Sequence, residues 1–150
     1  MKACTFFGHR DCPQTIQPKL NEVLVDLITN HGVDTFYVGN HGQFDSLVRC
    51  SLKKLKREYP NITYAVVLAY MPTTPKEYED YSDTILPEGI EAVHPRYAIS
   101  WRNNWMLNHS DYVVTYITHS WGGATIFARK ATLLEKTVVN LPGGFRTHSE

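Results

Sequence analysis

The chain has 150 residues, enough for one domain with a real core, and its 15 basic and 15 acidic residues cancel. A neutral balance gives no overall electrostatic footprint for duplex DNA or for an anionic membrane surface, although a local basic patch stays possible. No apolar run approaches the roughly 20 residues that span a bilayer, and Met1-Lys2 leads straight into a strand, so the sequence reads as a cytoplasmic protein.

The predicted elements alternate from end to end. Ala3 to Phe7 is a short apolar strand running into Gly8-His9-Arg10-Asp11. Leu20, Val23, Leu24, Leu27 and Ile28 recur at helical spacing, with Gly32 where a helix-terminating glycine belongs. Thr35 to Val38 is the second strand, closed by Gly39. Phe44, Leu47, Val48, Leu52, Leu55 and Tyr59 mark one face of the next helix, Lys53, Lys54, Lys56 and Arg57 its solvated face, and Pro60 its end. Ile62 to Tyr70 is a third strand, nearly continuous in apolar character, as burial on both sides requires. Residues 71 to 95 carry four prolines, Tyr78, Tyr81 and the acids Glu77, Glu79, Asp80 and Asp83. A connection of that length is commonly a lid, a binding loop or an interface. Arg96 to His109 resumes helical spacing through Ala98, Trp101, Trp105 and Met106, with Arg102 and Asn103 placed off that apolar stripe. A strand from Tyr112 to Ile117, the turn Thr118 to Thr125, a helix from Ile126 to Lys136 and a last strand, Thr137 to Leu141, complete the pattern. Residues 142–150 read as a frayed tail of this single domain, 1–150. Cys4, Cys12 and Cys50 lack CxxC spacing and the seven histidines form no ligand pattern, so no metal site, disulfide or cofactor is assigned.

Strands separated by helices call for an α/β fold: a mainly parallel, doubly wound Rossmann-like sheet with helices on both faces. Ligands of such sheets bind beyond the carboxyl ends of the strands, where the strand order reverses. Three loops are then brought into question together. They are Gly8-His9-Arg10 after the first strand, Gly39-Asn40-His41 with Asp45 after the second, and Ser120-Trp121-Gly122-Gly123-Ala124-Thr125 after the fourth. In the last, paired glycines let backbone amides approach an anion, and the following helix turns its positive end toward the same point. A tight strand-to-helix turn also uses glycine for geometric reasons alone.

The GHR ending of the first strand, the GNHGQFD turn after the second, RNNWM on a helix and a serine-flanked GGA turn resemble the SLOG superfamily over Thr5 to Leu141. That group joins the LOG phosphoribohydrolases, the DNA-processing protein A domain and many nucleotide-binding domains. The resemblance implies about five strands in the order 3-2-1-4-5 and a nucleotide or nucleotide-derived ligand at the strand ends. It also implies a homodimer or larger assembly with sites completed by the neighbouring subunit. An apolar Trp101, Trp105 and Met106 stripe and the loop tyrosines point the same way. The LOG enzymes carry a PGGxGTxxE motif with a catalytic glutamate. Aligned on Gly122 and Gly123, that position is Arg129, so the motif's carboxylate is missing here. The C-terminal Pro142-Gly143-Gly144 segment imitates the motif but has no chain left to form its helix.

The polar residues that remain are binding tools. Arg10 and Arg102 offer planar forks for a phosphate or carboxylate, and the amides of Gly122, Gly123 and Ala124 accept the same anion. Asn103 lies beside Arg102. His9 and Asp45 are an acid and base pair in principle, but His9 can bond a backbone carbonyl and Asp45 can cap the helix that begins beside it. Phe44 belongs in the core, while Trp121 is a candidate platform for a base or ribose. The expected function is therefore non-catalytic sensing or sequestration of a nucleotide-derived signal such as an ADP-ribose-like or cyclic nucleotide. The alternative is an enzyme splitting a nucleotide N-glycosidic bond with acids of the long loop. Single-stranded DNA binding suits a neutral chain less well.

Overall fold

The computed structural model describes residues 1–70, 84–142 and 144–145. The acids Glu77, Glu79, Asp80 and Asp83 and the tyrosines Tyr78 and Tyr81 lie outside them. The elements run β1 (Ala3–Gly8), α1 (Gln17–Asn30), β2 (Thr35–Val38), α2 (Gly42–Glu58), β3 (Thr63–Val67), β4 (Thr84–Ile85), α3 (Ala98–Asn108), β5 (Tyr112–Tyr116), α4 (Gly123–Leu133), β6 (Thr137–Asn140) and β7 (Gly144–Phe145).

One sheet holds all seven strands in the order β4-β3-β2-β1-β5-β6-β7. Pairing is parallel as far as β6, and β7 adds an antiparallel edge. The five long strands thus take the expected order. Two short edge strands are additional, one within the 71–95 segment and one in the segment expected to fray, where Asn140 is in register with Gly144. Two-residue strands carry no period, which is why alternation in the sequence does not reveal them.

Alternation in β1 sends successive side chains to opposite faces of the sheet. Cys4 and Phe6 join Leu20, Leu24, Phe36, Phe44, Val48 and Leu52 in the core beneath α1 and α2. Ala3 and Phe7 join Met106, Leu107, Phe127 and Ala131 in the core beneath α3 and α4. Gly32, at φ 70°, ends α1 in the left-handed region, as its position predicts.

In α3 the sequence expectation needs correction. The buried positions are Ala98, Arg102, Met106 and Leu107. Trp101 and Trp105 are only partly covered, and Arg102, expected off the apolar stripe, is 2% exposed. Hydropathy puts a guanidinium outside; here a dense set of acceptors keeps it inside.

Candidate functional site

The loops after β1, β2 and β5 meet α3 around a cavity of about 620 Å³ at the carboxyl end of the sheet. It lies over β1 and β5, paired neighbours from which the chain winds outward in both directions. Of the residues singled out in the sequence, Gly8, His9, Arg10, His41, Asp45, Arg102, Asn103, Trp121, Gly122, Gly123 and Ala124 line it. Gly39, Asn40, Ser120 and Thr125 do not. Asn40 supports Arg102, Thr125 Oγ1 stands 3.0 Å from the carbonyl oxygens of His119 and Trp121 and folds the turn back on itself, and Ser120 faces an adjoining groove that shares Thr118 and His119 with the cavity.

Local geometry explains the glycines. A Cβ on Gly8 would come within 2.2 Å of the Phe44 ring, so β1 must end in glycine for α2 to seat. A Cβ on Gly39 would fall 2.7 Å from Asp45 Oδ2 and 3.0 Å from Arg102 Nη1. Gly122, at φ 100°, occupies the N-cap of α4, whereas a Cβ on Gly123 would meet nothing within 4 Å. Gly123 is thus open toward the cavity, at the positive end of a helix.

The start of α2 is closed instead. Its Gln43 amide donates to Arg10 O at 2.8 Å, Gln43 Oε1 accepts from the Cys12 amide at 3.1 Å, and Asp45 Oδ2 accepts from the His41 amide at 3.1 Å. Asp45 thus lies within the first turn and ties back to the amide of His41, the residue that occupies the N-cap in its place. Burial pushes the Asp45 carboxyl above the usual range, against the opposing pull of Arg102 and the His41 amide.

Arg102 was expected to grip a ligand, but most of its hydrogen-bonding capacity is engaged within the protein. Nε donates to Asn103 Oδ1, Nη1 to Val67 O and Asn40 Oδ1, and Nη2 to His41 Nδ1. Four of the five N–H groups of a guanidinium are thereby used. Arg10 differs: it is exposed on the cavity wall, and among the described residues no carboxylate pairs with it. The field is cationic. Burial pushes His41 below the usual imidazole range, and Arg102, Arg10 and Arg49 push it further, so the ring is neutral and can accept from Arg102.

His9 also departs from expectation: its Nε2 accepts from the Thr118 amide at 3.1 Å, where a backbone carbonyl had been anticipated as partner. Accepting there requires a neutral ring, and burial, with His119 second, holds His9 below its usual range. His9 stacks on His119 at 3.5 Å between ring centroids and 11° between planes, and His119 stacks on Trp121 at 3.8 Å and 19°. His119 stands within the singled-out turn but not among the predicted site residues; Asp11, Thr118, Ile99 and Met106 are further lining residues not anticipated. Only the fold brings rings 110 positions apart into one stack, so spacing carries no signal for it.

Arg129, at the position of the LOG glutamate, is exposed and lines the adjoining groove along α4 and the ends of β5 and β6.

No protein-family model matches the chain, and no curated protein matches it. Among solved structures it is similar to DNA processing protein A (DprA) from Streptococcus pneumoniae, with a TM-score of 0.68 at 14% identity over 93% of this chain and 50% of that one. The chain spans half the length of that protein, and at this identity the likeness establishes the shared Rossmann-like fold.

Proposed function

We propose that this protein binds a nucleotide-derived ligand by its phosphate and releases it intact, as a sensor or a store. The observation that carries the reading is the convergence on the same cavity of an exposed guanidinium, Arg10, that pairs with no carboxylate among the described residues, and the open amino end of α4 at Gly122-Gly123. Charge-assisted hydrogen bonds and a helix terminus both select an anion. Arg129 at the position of the LOG glutamate supports binding over cleavage by that motif, which needs a group to steady positive charge on the ribose or to activate water; Asp11 and Asp45 are the carboxylates that line the cavity. A nucleic-acid reading, suggested by the name of the similar structure, has less support from a chain of zero net charge.

The test has two parts. Arg10→Ala should weaken nucleotide binding by about 1.5–3 kcal/mol, the worth of a charge-assisted hydrogen bond. Unchanged affinity places the anion elsewhere. Gly123→Val should abolish binding while circular dichroism stays native, because the new side chain enters open space on the ligand's path. Nucleotides recovered after heating the complex should match those supplied; release of free base or ribose phosphate would promote the hydrolase reading.

A further inference from the structure

We infer that the His9, His119 and Trp121 stack is a platform for the ligand's planar base, which makes the cavity selective for nucleotides over sugar phosphates. This rests on the phosphate reading above.

The rings belong to two loops, yet they lie nearly parallel at van der Waals separation, with His9 innermost and Trp121 outermost. Trp121 remains 68% exposed. An indole covered on one face by an imidazole and left open on the other is held ready to receive a second planar group. The stack sits at the edge of the fold: His9 and His119 are half-buried and Trp121 is exposed. It also leaves His119 Nδ1 buried with no hydrogen-bond partner among the described residues, a cost to the free protein that a purely structural turn would have no reason to keep.

Position supplies the ligand class. Trp121 immediately precedes Gly122-Gly123, and all three line one cavity with Arg10. A nucleoside monophosphate carries its anion and its flat ring on either side of a single ribose, so its two ends match the two kinds of surface side by side here. Stacking on indole tolerates any base, because every base has a π-face. The platform therefore distinguishes nucleotide from sugar phosphate and discriminates weakly among bases.

AMP and ribose 5-phosphate differ only by the adenine, so their affinities can be compared by calorimetry on the parent protein, Trp121→Ala, Trp121→Phe and Arg10→Ala. The parent should prefer AMP by about tenfold or more, a typical worth of one stacked base. Trp121→Ala should erase that preference by weakening AMP alone, and Trp121→Phe should keep most of it. Equal affinities in the parent, or a Trp121→Ala loss shared by ribose 5-phosphate, would overturn the platform while leaving the phosphate site intact. Adenosine separates the opposite case: binding that depends on Trp121 and not on Arg10, with none of ribose 5-phosphate, would uphold the platform and remove the phosphate reading. Binding of none of the three at millimolar concentration would remove both.

Discussion

Arg102 and Arg10 divide two tasks that the same side chain can perform. The buried guanidinium ties α3 to the end of β3 and to the turn before α2, whereas the exposed one faces the cavity. Arg102→Met roughly keeps the volume but removes the stronger of the two guanidiniums acting on Asp45 and a donor to the Val67 carbonyl. It should lower unfolding stability by about 3 kcal/mol in urea titration, and adding Asp45→Asn should restore part of that, since a neutral amide needs no counter-charge. A double variant no more stable than Arg102→Met would show that Asp45 does not need the arginine. The histidines set a pH dependence. His9 and His41 both sit below the ordinary imidazole value of about 6.5 in the folded protein, so below that pH the unfolded chain takes up protons that the folded one refuses. Their contribution is complete above about pH 6.5 and is lost as the pH falls through their folded values. Asp45, raised on folding, acts in the opposite sense, favouring the folded state as acid neutralises it. Melting temperature should therefore fall between pH 7.5 and 5.5, and His41→Asn should flatten the slope; a melting temperature that rises over this range would contradict the neutral imidazoles.

At the scale of elements, one close contact governs how β1 meets α2. Phe44 is 1% exposed and its ring lies where a Cβ on Gly8 would stand. Gly8→Ala should therefore destabilise by about 1–3 kcal/mol through overpacking, and Phe44→Leu in the same chain should relieve part of it. Simple additivity of the two changes in denaturant melts would show that the ring does not dictate the glycine. The same scale shows what a sequence displays and what it hides. Leu20 to Ile28 and Phe44 to Tyr59 are legible because an amphipathic helix on a sheet needs an unbroken apolar face, and β1, β2 and β5 because both their faces are covered. The buried face of α3 is misread, with Trp101 and Trp105 only partly covered and Arg102 inside, since hydropathy values Arg102 by its charge and cannot register acceptors supplied from Asn40, His41 and Val67. Those partners lie 35 to 62 positions away.

The whole molecule unites both points. Parallel winding in the order β3-β2-β1-β5-β6 brings the carboxyl ends of β1 and β5 together, so the meeting of Arg10 and Gly122-Gly123 at one cavity follows from topology and is legible in the sequence. The imidazole stack is not, because it depends on how two loops lean. Zero net charge likewise conceals a local concentration of Arg10, Arg49 and Arg102 around His41. Assembly is the remaining question at this scale. The α3 stripe that suggested an oligomer is largely engaged within the protomer, with Met106 1% exposed and Trp105 packed between Tyr37 and His109. Exposed apolar surface lies on α4 instead, at Ile126 (62%) and Leu133 (82%), seven positions apart and so on one helical face, with Leu134 just beyond. We propose that two copies meet there, a two-fold pair bringing the same apolar face of α4 together from both protomers. Light scattering at micromolar concentration should give twice the protomer mass of 17.2 kDa, and Leu133→Glu with Ile126→Glu should return it to one protomer without loss of fold. A parent already at 17.2 kDa would reject assembly, and a dimer indifferent to both substitutions would move the interface off α4.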